Sequence, residues 1–261
     1  MLQERHHLAY HSLQVLSNHL HLLLTDRRGD QIQSFNRDFF SHMAKSLNCY
    51  RGRKEHFWNS DKPSCVMVAP RAADLIDKSA YIQVNCVESG LVSHAKKWPG
   101  VKVLASQLDR FTIPVKRPNF YYSPNGSLPK EVEVSFTLPK AWDATPQELR
   151  RSIEQECNRR EQAVRDRMKE AGKKFKGAKN IRRQSVHSSA QSRESWFELN
   201  PHVACKDTSL RVRFLQWRAR RQRRYEERRA ALLEGVRDVV FPEGTYAQHF
   251  LHGCAREEWR G

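Results

Sequence analysis

Four side chains in this sequence have types and spacings suited to phosphate chemistry. His19 and His21 stand two apart in the run "SNHLHLLL", residues 17–24. On a strand, residues two apart project to the same side, so two imidazoles would lie next to one another. Neutral imidazoles bind divalent ions, but a stable site needs a further donor. Tyr81 and Asn85, in "SAYIQVN", stand four apart and share one face of a helix. A phenol can attack phosphorus, and a carboxamide oxygen can complete the shell of a cation. Neither pair demands this chemistry by itself. The chain holds 12 histidines, so one such spacing arises readily by chance. Two histidines satisfied within a sheet, and a packed tyrosine with an asparagine near a helix end, are the plain readings of the isolated pairs. Cys86 adjoins Asn85 but has no evident general base, which leaves a thiol nucleophile little support.

The elements that must position these groups are legible in outline. "SLQVLSNHLHLLL" (12–24) reads as one buried strand, apolar on both faces around the histidines. Gly29 breaks the chain, and Asp30 with Gln33 predicts a capping box opening a helix over 31–48, where Ile32, Phe35, Phe39, Met43 and Leu47 recur at helical spacing. "SCVMV" (64–68) predicts a short buried strand. A second helix is expected from Arg71 to Asn85, with Ala73, Ile76, Ala80 and Val84 or Gln83 turned inward. Four prolines between 114 and 129, the turn "SPNGS" and the alternating "EVEVSFTL" suggest a connecting arm with its own strand or hairpin. Thr145, Pro146 and Glu148 predict a capped helix start. A basic stretch over 173–193, flexible towards "SVHSSAQSR", precedes a last arginine-rich helix.

Composition narrows the partner. The 261 residues carry 46 Lys and Arg against 29 Asp and Glu, a formal charge of +17. Residues 145–261 hold 27 of the basic and 16 of the acidic side chains. Such an imbalance disfavours a free metabolic enzyme and favours a polyanion, with nucleic acid first because neutralised phosphates release counterions. No apolar stretch reaches the roughly 20 residues of a membrane span. Six scattered cysteines without a CxxC pair fit a reducing compartment, so a cytoplasmic protein with no membrane role is expected.

The Asn18-His19-Leu20-His21 run, the helix after it, the Trp58-containing basic turn and "YIQVNCVESGLV" (81–92) together resemble the single-tyrosine HUH transposases of bacteria. The similarity is specifically to REP-associated tyrosine transposases and their insertion-sequence-200-like relatives. It covers roughly residues 5–100, and "NPHVA" and "FPEGTY" resemble the tail of longer members. The resemblance implies an α+β fold, with a layered HUH-type (ferredoxin-like) domain of antiparallel sheet and helices over 1–105. A Pro-rich arm (106–144) and a basic helical extension (145–261) would follow. It implies His19, His21 and Asn85 as ligands of a divalent metal (Mg or Mn), and Tyr81 as the nucleophile in cleavage and rejoining of single-stranded DNA through a 5′-phosphotyrosine. The DNA would be a hairpin-forming repeat, and a homodimer is compatible with the pattern. Arg51, Arg53, Lys54 and Trp58 are candidate DNA contacts, with simple packing the alternative for Trp58. Lys173, Lys174, Lys176, Arg182 and Arg183 complete the candidate DNA surface.

The sequence departs from the family pattern in three places, one being Leu16-Ser17 where Met-Pro usually precedes the Asn-His pair. Only "MLQERHHLAY" precedes the expected histidine strand, so the first strand of the pattern is expected to be missing. After Asn85 the usual Pro-x-Arg-Ala-Gly reads Cys86-Val87-Glu88-Ser89-Gly90, with an acid where an arginine is expected. The rival expectation is therefore an N-terminally shortened or inactivated relative that binds hairpin DNA and cuts nothing. An RNA-binding role has no recognisable motif to support it.

Overall fold

The computed structural model of the chain describes residues 2–58, 65–110, 112–185, 188, 202–245 and 247–257. After a short helix α1 (Leu2–Arg5), β1 (Leu8–Val15) and β2 (Leu20–Asp26) form an antiparallel hairpin. The single strand expected over 12–24 is thus two strands. The Leu16 N–H donates to the His19 carbonyl at 2.8 Å and closes a turn through exposed Ser17 and Asn18, residue types whose side chains favour turns. A strand therefore does precede the histidine strand, correcting the expectation that none would. β1 was hidden from pattern reading because three of its inward residues are polar. His11, Ser12 and Gln14 are 3%, 1% and 0% exposed. A bulge at His11 shifts the register, after which Gln14 lies opposite His21. The far edge of β1 is covered in turn. Val15 N–H bonds Val101 O, Val103 N–H bonds Leu13 O, and Thr137 N–H bonds Tyr10 O.

Helix α2 (Ile32–Arg51) follows the hairpin, three residues longer at its end than expected. The Asp30/Gln33 box does not form; the helix starts with no side-chain bond from its own cap residue, Gln31. Instead the Asp26 carboxylate accepts from the N–H groups of Arg28, Gly29, Gln31 and Ile32, while Asp30 pairs with Arg256. β3 (Met67–Val68) is shorter and less buried than expected; Ser64, in the expected strand, lies outside the described residues. α3 (Ala72–Glu88) runs three residues past Asn85, and residues 82–87 are buried on every side. Ala73, expected inside, is exposed, because the core-facing side there carries Asp74 and Leu75 instead. β4 (Thr112–Lys116) and β5 (Glu131–Ser135) form the hairpin of the arm.

Helix α4 (Pro146–Glu170) opens with the expected box, Thr145 and Glu148 each bonding the other's backbone N–H. Its Leu149, Ile153 and Val164 are buried against α3 and the hairpin region, each contributing about 1.5–3 kcal/mol of burial. Leu108, Phe136, Leu149 and Ile153 share one cluster with Leu75, so the core crosses both expected boundaries at 105 and 144. α5 (Ala178–Arg183) is short; most of "SVHSSAQSR" lies outside the described residues. β6 (Val203–Ala204) pairs in parallel with β3. α6 (Thr208–Leu233), β7 (Val240–Phe241), α7 (Ala247–His252) and β8 (Ala255–Arg256) complete the order. The architecture is a mixed α+β one. Among the described residues, no helix is long and apolar enough to cross a membrane.

Candidate active site

The turn at Leu16–His19 and the start of β2 bring His21 against the last turns of α3, with His19 beside it. The His19 and His21 ring centroids are 5.0 Å apart. His21 meets the Tyr81 ring edge to face at 5.3 Å, and the Asn85 Nδ2 donates to His21 Nε2 at 3.4 Å. Two pairs separated by some sixty residues of chain therefore form one cluster. α3 is seated there by Gln14, which donates to the Gln83 carbonyl at 3.0 Å and accepts from the Cys86 N–H at 3.2 Å. Gln14 is also the register partner of His21. One fully buried side chain thus fixes the hairpin against the helix that carries Tyr81 and Asn85.

Exposure differs across the cluster in a useful way. His19 and Tyr81 are exposed, His21 is half-buried and Asn85 is buried. Burial, with His19 as a second cause, pushes His21 down to about 4; burial also lowers His19. Both rings are neutral near pH 7, the state in which imidazole binds a cation. His19 Nδ1–H donates to Asn18 Oδ1 at 2.7 Å, which orients that ring and leaves its Nε2 available. Among the described residues the Asn85 side chain is held only by long contacts, 3.4 Å to His21 and 3.5 Å from the Ser89 hydroxyl. Rotating its amide would present oxygen instead of nitrogen at small cost. Among the described residues, no group of three or more His, Cys, Asp or Glu lies close enough to hold an ion. The Asn85 carboxamide beside His21 is an oxygen-bearing group that could add a further donor to the two imidazoles. Cys86, buried and pushed up to about 11, is a packed thiol and no nucleophile.

Sequence reading missed Gln14, Asn18 and Lys78. Lys78 Nζ lies 5.5 Å from the Tyr81 ring centroid, one helical turn before it, and helical spacing alone could have found it. Gln14 was not findable without the hairpin register. The candidate DNA contacts divide into two groups. Lys173, Lys174, Lys176, Arg182 and Arg183 are all exposed. Their segment docks beside the end of α3, where Lys176 N–H bonds Gly90 O and Gly177 N–H bonds Leu91 O. That places a basic rim one turn past Asn85. Arg51, Arg53 and Lys54 lie at the end of α2. Arg53 pairs with Glu55 and Arg51 lies 6.0 Å over Phe57. Trp58 is half-buried, donates to the Phe40 carbonyl at 2.8 Å and packs edge-on against Phe40 and Phe57, so packing accounts for it. Glu88, the acid in place of an expected arginine, is exposed.

Compared with known proteins, the chain matches no family model, no curated protein and no solved structure.

Proposed function

We propose that the protein cleaves and rejoins single-stranded DNA by way of a covalent tyrosine link, as the resemblance to REP-associated tyrosine transposases implies. The observation that carries this reading is the meeting of His19, His21, Tyr81 and Asn85 in one partly open cluster. In the reaction the Tyr81 oxygen bonds to the scissile phosphorus and loses its proton. The bond from phosphorus to the 3′-oxygen breaks, and that oxygen leaves as a 3′-hydroxyl. The 5′ end remains on Tyr81 as a phosphodiester. Attack by a 3′-hydroxyl on the same phosphorus reverses the step and frees the phenol without an energy source. Lys78 supplies positive charge beside the phenol, where the phosphate must sit. A divalent cation, Mg or Mn, held by His19, His21 and Asn85 would polarise a non-bridging phosphate oxygen. Asn18 keeps His19 in the tautomer with a free Nε2, and Gln14 holds the histidine strand in register with α3. The rim from Lys173 to Arg183 suits the strand leaving the site.

Covalent trapping tests the reading. Wild-type protein incubated with end-labelled single-stranded hairpin DNA and Mn should give a denaturation-resistant adduct, and Tyr81→Phe should give none. Tight binding by wild type without an adduct would leave a DNA-binding relative that cuts nothing, and the enzymatic reading would fail.

A further inference from the structure

Helix α6 carries nine arginines and two glutamates in 26 residues, and none of those residues is buried. A helix that stands this far off its body exposes its crest and both flanks. Leu210 and Phe214 near its start, and Tyr225 and Leu232 near its end, pack it on two small clusters. At 3.6 residues per turn these contacts fall on one side. Arg213 and Arg220 then line one flank, Arg218 and Arg229 line the other, and Arg223 stands on the crest. Val212, Leu215 and Ala219 complete the crest between the flanks, with no acid before Glu226. Arg211, Arg221 and Arg224 are engaged with Cys205, Glu243 and Glu257. Arg213, Arg218, Arg220, Arg223, Arg228 and Arg229 are exposed and make no ion pair among the described residues. The contrast with α4 is instructive, since Arg159, Arg160 and Arg165 there are all paired with glutamates.

The helix is also fixed at both ends. At its start, Arg71 pairs with Asp207 at 3.0 Å, and Lys206 N–H donates to Asp74 at 2.6 Å. Past its end, Arg256 returns to Asp30 at 2.6 Å. Such a helix holds its charge in place before any partner arrives, which lowers the ordering cost of binding.

We infer that α6 is a major-groove helix for double-stranded DNA, separate from the tyrosine cluster. The major groove is about 12 Å wide and admits an α-helix. With the crest towards the base edges, the two arginine flanks face the two phosphate backbones that border the groove. Val212, Leu215 and Ala219 offer the apolar contact that thymine methyl groups accept. α6 begins beside the start of α3, and Asn85 lies 13 residues further along that helix, about 20 Å away. A duplex stem on α6 would therefore leave its single-stranded extension to reach His21 and Tyr81. The inference shares with the reading above only its choice of DNA as partner.

Fluorescence anisotropy with a 20-base-pair DNA duplex, titrated in salt, tests it on the full chain. The triple variant R213Q/R218Q/R220Q should bind about tenfold or more weakly, with a log–log salt slope shallower by roughly 2.7, about 0.9 per lost phosphate contact. Its far-ultraviolet circular dichroism should match wild type, because the three side chains have no ion-pair partner among the described residues to lose. Tyr81→Phe should bind the duplex normally, so loss of the adduct chemistry and loss of duplex binding are read separately. Unchanged affinity and slope in the triple variant would overturn the inference. So would equal binding to duplex RNA, whose narrow major groove excludes a helix, or to phosphatidylserine vesicles.

Discussion

His11 and Gln14 show how much one polar residue can decide when it is buried. His11 sits at the bulge of β1, where Nδ1–H donates to the Thr137 carbonyl and Nε2 accepts from the Thr25 hydroxyl, both at 2.8 Å. Burial lowers its pKa below the ordinary value, so the unfolded chain binds its proton more readily than the folded one. Stability is then complete above about pH 6.5 and is lost as the pH falls below it. Urea midpoints measured at pH 7.5 and 5.5 should drop on acidification. His11→Asn, which keeps the donor to Thr137, should lower stability by about 1–2 kcal/mol and flatten that dependence. His19, His21 and His94 shift in the same direction, so a residual slope should remain. Gln14→Ala removes three buried hydrogen bonds and leaves a cavity between β1 and α3. It should cost about 3 kcal/mol in urea unfolding and reduce adduct yield, because the histidines lose their register with Tyr81.

At the scale of elements, the ends of helices explain where pattern reading succeeded and failed. Thr145, Pro146 and Glu148 are adjacent in sequence and form the box their order predicts. The start of α2 is capped from outside its own first turn, by Asp26 at the end of β2. Nothing local marks Asp26 as a cap, since it stands six residues before the helix and two past the expected strand. Asp26→Ala should cost about 2 kcal/mol, with Asp26→Asn near half of that; thermal denaturation of the pair would check the ratio. An equal loss in both variants would show that charge, more than acceptor geometry, sets the value.

For the whole molecule, the C-terminal elements act as a strut returning to the N-terminal hairpin. Arg256 and Asp30 are 226 positions apart in sequence and partly shielded from solvent, with side chains 29% and 13% exposed. A double-mutant cycle of Arg256→Ala and Asp30→Ala should give a coupling near 1 kcal/mol, above that of an ordinary surface pair. Breaking the pair should also speed limited proteolysis after α6, since Val239, Phe241 and Cys254 form only a small cluster there. Additive single effects and unchanged proteolysis would show that the Arg256–Asp30 pair adds nothing to holding the strut.

The sequence by itself determined what is local or one-dimensional. Its basic excess, the α2, α3 and α4 helices, the Thr145 cap, and the spacing within each of the His19/His21 and Tyr81/Asn85 pairs are set by residues a few positions apart. Tertiary structure alone decided that these two pairs meet, because their distance depends on the register of β1 with β2 and on buried Gln14 joining β1 to α3. It also decided which cations remain free for a partner. Arg211, Arg221 and Arg224 of α6 are engaged by Cys205, Glu243 and Glu257, groups outside that helix, while Arg213, Arg218 and Arg220 face solvent.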